Sequence, residues 1–304
     1  MHFKINLIIL FFKGGKMESK IYQKFYTREL KKLYGNCIKN ISEIQEIGEE
    51  ILLLIRVKKK INSHDIRTHQ VLSLFKEMLE RIDGIVILMK SKSLLNAEII
   101  LRSFFEIVLD LKVILKDSSN ESALNYMYFK YGDYILKLES YGGKTTEEIQ
   151  QEWDELKVFA SIYSFSCLED THKKNVIKYR SKWYEYNKND NIEYKRKIEN
   201  QYYGNLCIKT HGQNSVLDNT LSDKYIFSLK LLRSPENTGK IFFTIINLFY
   251  QIVELIFEQY IEDKKKKEEI KEKLAILNKK GKTLIRSGEE IMKKENIEKL
   301  KIIL

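Results

Sequence analysis

Apolar residues recur at intervals of three and four along most of this chain, and that spacing predicts a succession of long helices. Ile21, Phe25, Leu30, Leu33, Ile38, Ile41, Ile44 and Ile51 predict a first helix over about 18–56. The basic segment Arg56 to Lys60 reads as a loop, and Ser63 or Asp65 as the N-cap of the next helix. Val71, Leu72, Leu74, Phe75, Met78, Leu79 and Ile82 carry a helix over about 66–91, and another follows over about 94–116. Only Ser91-Lys92-Ser93 separates the two, which predicts an antiparallel helical hairpin.

Helices are expected next at about 121–141 and 146–162. Gly142-Gly143 parts them, and Thr145-Thr146-Glu147-Glu148 supplies a capping box. Residues 164–200 are polar and aromatic and read as broken helices and loops, then a helix at about 192–210. Loops are expected at 212–222 and at 234–239, the latter around Pro235 and Gly239. The most apolar helix is about 240–260, long enough to span a bilayer. Asn247, Gln251, Glu254 and Glu258 interrupt it and are costly in lipid, so it reads as a buried core helix. The Lys/Glu-rich residues 262–304 read as helical. The fold class is all-α: a helical bundle around a long antiparallel hairpin (about 66–116) and a buried helix (about 240–260).

Composition supports this. Of 304 residues only one is proline, and 43% are hydrophobic, enough for a core and against disorder. The net charge of +11 points to an acidic partner such as RNA, DNA or an anionic surface, with solvated lysine as the plainer alternative. Cys37, Cys167 and Cys207 form no C-x-x-C pair, which fits a reducing cytoplasm and indicates neither disulfide nor zinc. The start has a short apolar run, Ile5 to Phe12, without a small-residue cleavage site. Lys13-Gly14-Gly15-Lys16 before Met17 can be encoded by a ribosome-binding sequence, so residues 1–16 are read as translated leader, a membrane anchor being the alternative. The expected organisation is this leader, one helical domain over 17–260 and a basic tail over 261–304.

Within the hairpin, Glu98, Arg102, Glu106 and Asp110 interrupt an otherwise apolar helix at spacings of four, so they form one stripe. Such a stripe is either a ladder of ion pairs, or the solvent edge, or an arginine and an acid lining a polar pocket. Thr244, Asn247, Gln251, Glu254 and Glu258 make a similar seam on the helix at 240–260. The two seams could bury against each other, frame a cleft or face solvent. His211, in Thr210-His211-Gly212-Gln213-Asn214, sits where a helix should end, as a general base, a phosphate contact or a structural cap. Residues 172–203 interleave cations (Lys178, Arg180 and Lys182 among them) with Trp183, Tyr203 and other aromatics, a mixture suited to single-stranded nucleic acid. No metal-ligand pattern, P-loop, dinucleotide fingerprint or kinase signature occurs, and no metal or cofactor is expected.

Three segments together resemble a known family. They are the hairpin stretch Glu80-Arg81-Ile82-Asp83-Gly84-Ile85 to Asn96-Ala97-Glu98-Ile99-Ile100-Leu101-Arg102-Ser103-Phe104-Phe105-Glu106, the pair Trp183-Tyr184, and Tyr203-Gly204-Asn205-Leu206-Cys207 leading to His211-Gly212. Over about 64–260 they are similar to bacterial helical proteins known as domain of unknown function 5677. In these, an A-x-x-L-L-R-S-L-F-E helix precedes a Y-x-x-x-S-x-x-x-H segment. Cys207 stands where a serine is usual. That family is distantly similar to the higher eukaryotes and prokaryotes nucleotide-binding (HEPN) group, which includes ribonucleases of toxin–antitoxin and abortive-infection systems.

The resemblance implies a defence-linked effector acting on RNA. Arg102 would hold phosphate, Glu106 would position Arg102, and His211 would serve as acid or base. Those ribonucleases carry an arginine and a histidine a few residues apart on one helix; here Arg56 and His64 come nearest, across a loop. The alternative is a non-catalytic helical module that binds a partner protein or nucleic acid. Neither reading calls for a membrane, and a homodimer is compatible with so apolar a chain.

Overall fold

A computed structural model describes residues 28–58, 65–91, 93–117, 119–162, 172–179, 220–223, 226–229, 238–294 and 302–303. Its helices are α1 (Arg28–Lys58), α2 (Ile66–Lys90), α3 (Leu94–Lys116), α4 (Glu121–Tyr141), α5 (Thr146–Ile162), α6 (His172–Tyr179), α7 (Thr238–Tyr260) and α8 (Lys264–Lys294). The protein is an all-α bundle, as the periodicity predicts.

Four helices form the centre: α1 packs on α2, α2 on α3, α3 on α7, and α7 back on α1. Local chemistry fixes where each begins and ends. Asp65 caps α2, its carboxylate accepting from the Thr68 amide at 3.0 Å and the Thr68 hydroxyl at 2.6 Å. Thr145 and Glu148 make the predicted capping box at α5: the Thr145 amide donates to Glu148 at 2.7 Å, and the Glu148 amide to the Thr145 hydroxyl at 3.3 Å. Gly142 ends α4 at φ 65°, a left-handed conformation open to glycine.

The core is continuous. Cys37, Ile41, Ile44, Ile51 and Ile55 of α1 repeat at heptad-like spacing and are fully buried. Phe75 of α2 and Phe249 of α7 meet across the centre, ring centroids 6.1 Å apart. Burial holds the Cys37 thiol up at about 12, so it is an inert packing residue. α7 buries thirteen residues against its neighbours, which makes it the buried helix of the bundle. By length and composition it could also cross a membrane.

α8 turns back along α7 after only Ile261–Asp263 and also lies along α1. Its Ile270, Leu274 and Leu277 join the core. α4 packs on α2 and α3, and carries α5 and α6.

One feature departs from the expected loops and helical tail. β1 (Thr220–Asp223) and β2 (Ile226–Leu229) form an antiparallel hairpin, and β3 (Ile302–Ile303) adds to β2. Asp223 pairs with Ile226, and Leu229 with Ile302. Two four-residue runs separated by two residues suit a tight hairpin, and Ile-Phe-Ser-Leu has strand-forming chemistry. The predicted helix at about 192–210 and residues 18–27 of the predicted first helix lie outside the described residues.

Candidate functional site on the central hairpin

The stripe on α3 is real, and it winds. A spacing of four advances about 40° round a helix, so four members sweep about 120°. Glu98 and Asp110, at its ends, are buried, while Arg102 and Glu106 reach partly into solvent. The Arg102 Nε donates to Glu106 Oε1 at 3.3 Å, with the side chains 18% and 44% exposed. This is an i, i+4 ion pair on an edge of the hairpin.

Neighbouring helices bring further charge to the same region. On α2, Arg81 donates through Nε to the Ser103 hydroxyl at 3.0 Å and through Nη2 to Glu77 at 2.7 Å. On α4, Lys130 lies 3.6 Å from Asp110 and 5.5 Å from the centre of the Tyr126 ring. The Tyr126 phenol is pushed well above its ordinary range by burial, and further by the negative charges of Asp110 and Glu77. Glu77, Arg81, Ser103, Asp110, Tyr126 and Lys130 therefore form one polar cluster across three helices. Of these, periodicity singled out only Asp110, because which residues of α2, α3 and α4 face one another depends on the register of packing. The antiparallel hairpin is the usable signal: residues equally far from Lys92 in sequence come opposite each other, and Arg81 and Ser103 are 11 residues either side of it.

A second polar centre also arises through packing. Arg67, the second residue of α2, donates to the carbonyls of Ile114 (3.2 Å) and Leu115 (3.1 Å) and to Gln259 Oε1 (2.5 Å). Gln259 in turn donates to Leu115. These groups satisfy the last carbonyls of α3 and place a cation at its negative end. At the end of α2 the Tyr34 hydroxyl satisfies one carbonyl, donating to that of Met89 at 2.7 Å.

The seam on α7 touches α3 at one described point. Lys112, only 3% exposed, donates to Gln251. Burial, and then Lys116, pull its ammonium down to about 8. The rest of the seam turns elsewhere. Asn247 accepts from Asn278 of α8 at 3.3 Å, Glu254 pairs with Lys271 at 3.3 Å, and Glu258 is exposed. The α7 seam thus meets α3 at Gln251, through Lys112, and α8 at Asn247 and Glu254.

Of the nucleic-acid residues named from sequence, Lys178 is described. It is exposed on α6, its ammonium 4.8 Å from the centre of the Tyr179 ring. Val176 anchors α6 against Gly132 of α4, and Tyr179 packs on Phe129 at 5.7 Å. His211, Arg180, Lys182, Trp183 and Tyr203 lie outside the described residues. The trio Arg102, Glu106 and His211 is therefore brought together only as far as its α3 pair.

Two open surface hollows are lined by described residues: one by Glu147, Gln151, Asp154, Val158 and neighbours of α5, the other by Glu46, Glu49, Glu50, Leu53 and Leu54 of α1. No member of the α3 stripe is among these. Among the described residues, no three His, Cys, Asp or Glu side chains are grouped to hold a metal.

The model of a family of unknown function (DUF5677) matches residues 68–225. That is just over half of the chain, from the first turn of α2 to just past β1. No curated protein and no solved structure matches.

Proposed function

We propose, from the premise that this chain belongs to the family of unknown function DUF5677, that it is a non-catalytic helical module that binds nucleic acid in the cytoplasm. The observation that carries the reading is that cations on and beside the hairpin are paired with the protein's own carboxylates. Arg102 is held by Glu106, Arg81 by Glu77, and Lys130 by Asp110. A group that grips phosphate in a catalytic pocket points at the ligand site. These are turned to carboxylates of the same chain, in partly exposed pairs along and beside the hairpin. The net charge of +11 then supplies attraction to a polyanion that needs no pocket.

The test uses the full chain. Fluorescence anisotropy would be followed with a labelled single-stranded RNA and a DNA of the same sequence, over a series of salt concentrations, with the RNA then run on a denaturing gel. Saturable binding that weakens linearly in log Kd against log salt is expected, at roughly 0.7 per phosphate contacted. The RNA should remain intact. Failure to bind either strand overturns the reading. So does RNA cleavage that His211→Ala abolishes, which would restore the enzyme in which Arg102 holds phosphate, Glu106 positions it and His211 moves the proton.

A further inference from the structure

Among the described helices, α8 carries the largest net positive charge. α8 carries twelve Lys or Arg residues against five Glu. Its inner side is fully engaged. Ile270, Leu274 and Leu277 are buried. Lys266 and Lys273 face Glu50 of α1 at 2.9 and 3.6 Å, Lys280 faces Glu43 at 3.5 Å, and Lys271 faces Glu254 of α7 at 3.3 Å.

The outer side is different. Lys279, Lys282 and Arg286 are all exposed, at spacings of three and four residues. On a helix these positions fall within about 60° of one another and span about 10 Å along the axis. Lys279 and Lys282 have no ion pair among the described residues. Arg286 lies 3.3 Å from Glu290, with both side chains more than half exposed, a contact worth little against a competing anion.

We propose that this outer ridge, Lys279, Lys282 and Arg286, is the surface on which α8 binds the phosphodiester backbone of nucleic acid. The inference rests on the nucleic-acid reading above and gives it a location. A row of cations one helical turn apart on a rigid support matches a chain of regularly spaced phosphates, and it carries no base-reading chemistry. An anionic membrane fits less well. A helix that lies in a membrane surface inserts its apolar face, and the apolar face of α8 is already used against α1 and α7. An acidic protein fits less well too, because a protein interface draws on buried aromatic or aliphatic anchors. Ile276 is the one large exposed apolar side chain among the described residues of α8.

The experiment compares full-length proteins by anisotropy on single-stranded RNA and on an RNA duplex. The parent is set beside the triple variant Lys279→Gln, Lys282→Gln, Arg286→Gln and a charge-matched control, Lys76→Gln, Lys90→Gln, Lys137→Gln, whose cations are exposed on α2 and α4. Circular dichroism and melting temperature check that each variant is folded. The ridge variant should bind at least tenfold more weakly and lose about 2 from the slope of log Kd against log salt. The control should stay within about threefold of the parent. Equal weakening in the two variants, or full-strength binding by the ridge variant, overturns the location while leaving nucleic-acid binding in place. A parent that binds neither probe overturns both. If the ridge effect is confined to one probe, the backbone recognised is that of the single strand or of the duplex accordingly.

Discussion

Lys112 shows best what one residue costs this fold. It is buried between α3 and α7 with its ammonium donating to Gln251, and burial lowers its pKa from 10.5 to about 8. The folded chain therefore gives up a proton that the unfolded chain keeps between those two values. Stability must rise as pH climbs from about 8 towards 10.5, because the unfolded state binds more protons there. Below about 8 both states are charged and the full cost of burial is felt, on the order of 3 kcal/mol. Lys112→Met keeps the length and helix propensity of the side chain and removes the charge. It should raise the melting temperature at pH 7 and flatten the rise between pH 8 and 10. Parallel melting profiles for the two proteins across that range would refute the account. Nothing in the sequence marks Lys112, since its burial depends on α7 docking 139 residues away. The Arg102–Glu106 pair, by contrast, could be read directly, because its partners are one turn apart on one helix.

The same division holds for whole elements. α2, α4 and α5 stand where apolar spacing and caps put them, since those signals are local. The strands β1 and β2 do not announce themselves in the same way. Each is four residues long, and β2 gains a second partner 73 residues on, where Leu229 meets Ile302. α6 is an intermediate case. Eight residues are too few for a helix to be stable alone, so its tertiary anchor decides. That anchor is Val176 set against Gly132, where an added Cβ would stand 2.5 and 2.7 Å from the two Val176 methyls. A β-branched valine has little rotamer freedom to retreat, so α6 itself would have to lift. Gly132→Ala should therefore speed amide exchange in residues 172–179 by about tenfold or more, a cost of 1–3 kcal/mol of overpacking. The rest of α4 should gain slightly from the better helix former. Adding Val176→Ala should return the exchange rate towards that of the parent if the clash is the cause. An unchanged rate in Gly132→Ala would show that α6 is held some other way.

At the scale of the molecule, the question is what residues 261–304 contribute. Sequence makes them a basic tail, because Lys and Glu dominate and the apolar positions are sparse. Those positions nevertheless fall every three or four residues: Ile270, Leu274, Leu277, then Gly281, whose lack of a side chain lets Phe242 and Phe243 of α7 come close. Further along, Gly239 of α7 approaches the backbone of Leu284 and Ile285, where even a methyl group would stand only 3.2 Å from the Ile285 Cα. Such close contacts mean that α8 is fitted to α7 rather than laid beside it. Burying Ile270, Leu274 and Leu277 contributes roughly 5–9 kcal/mol, at about 1.5–3 kcal/mol per side chain. Net stabilities of single domains are about 5–15 kcal/mol, so this one helix accounts for much of the total. Its loss would also bare α7, whose mean hydropathy reaches 1.6. A chain ending at Asp263 should therefore pass from the soluble fraction to the pellet on expression without detergent, while the full chain stays soluble. An appended tail would predict the opposite, a truncated chain that stays soluble and melts at the parent's temperature. The same helix would then hold the bundle together through its inner side and present its cations through its outer side, so the ridge variant and the truncation should separate: one loses nucleic-acid binding with the fold intact, the other loses the fold.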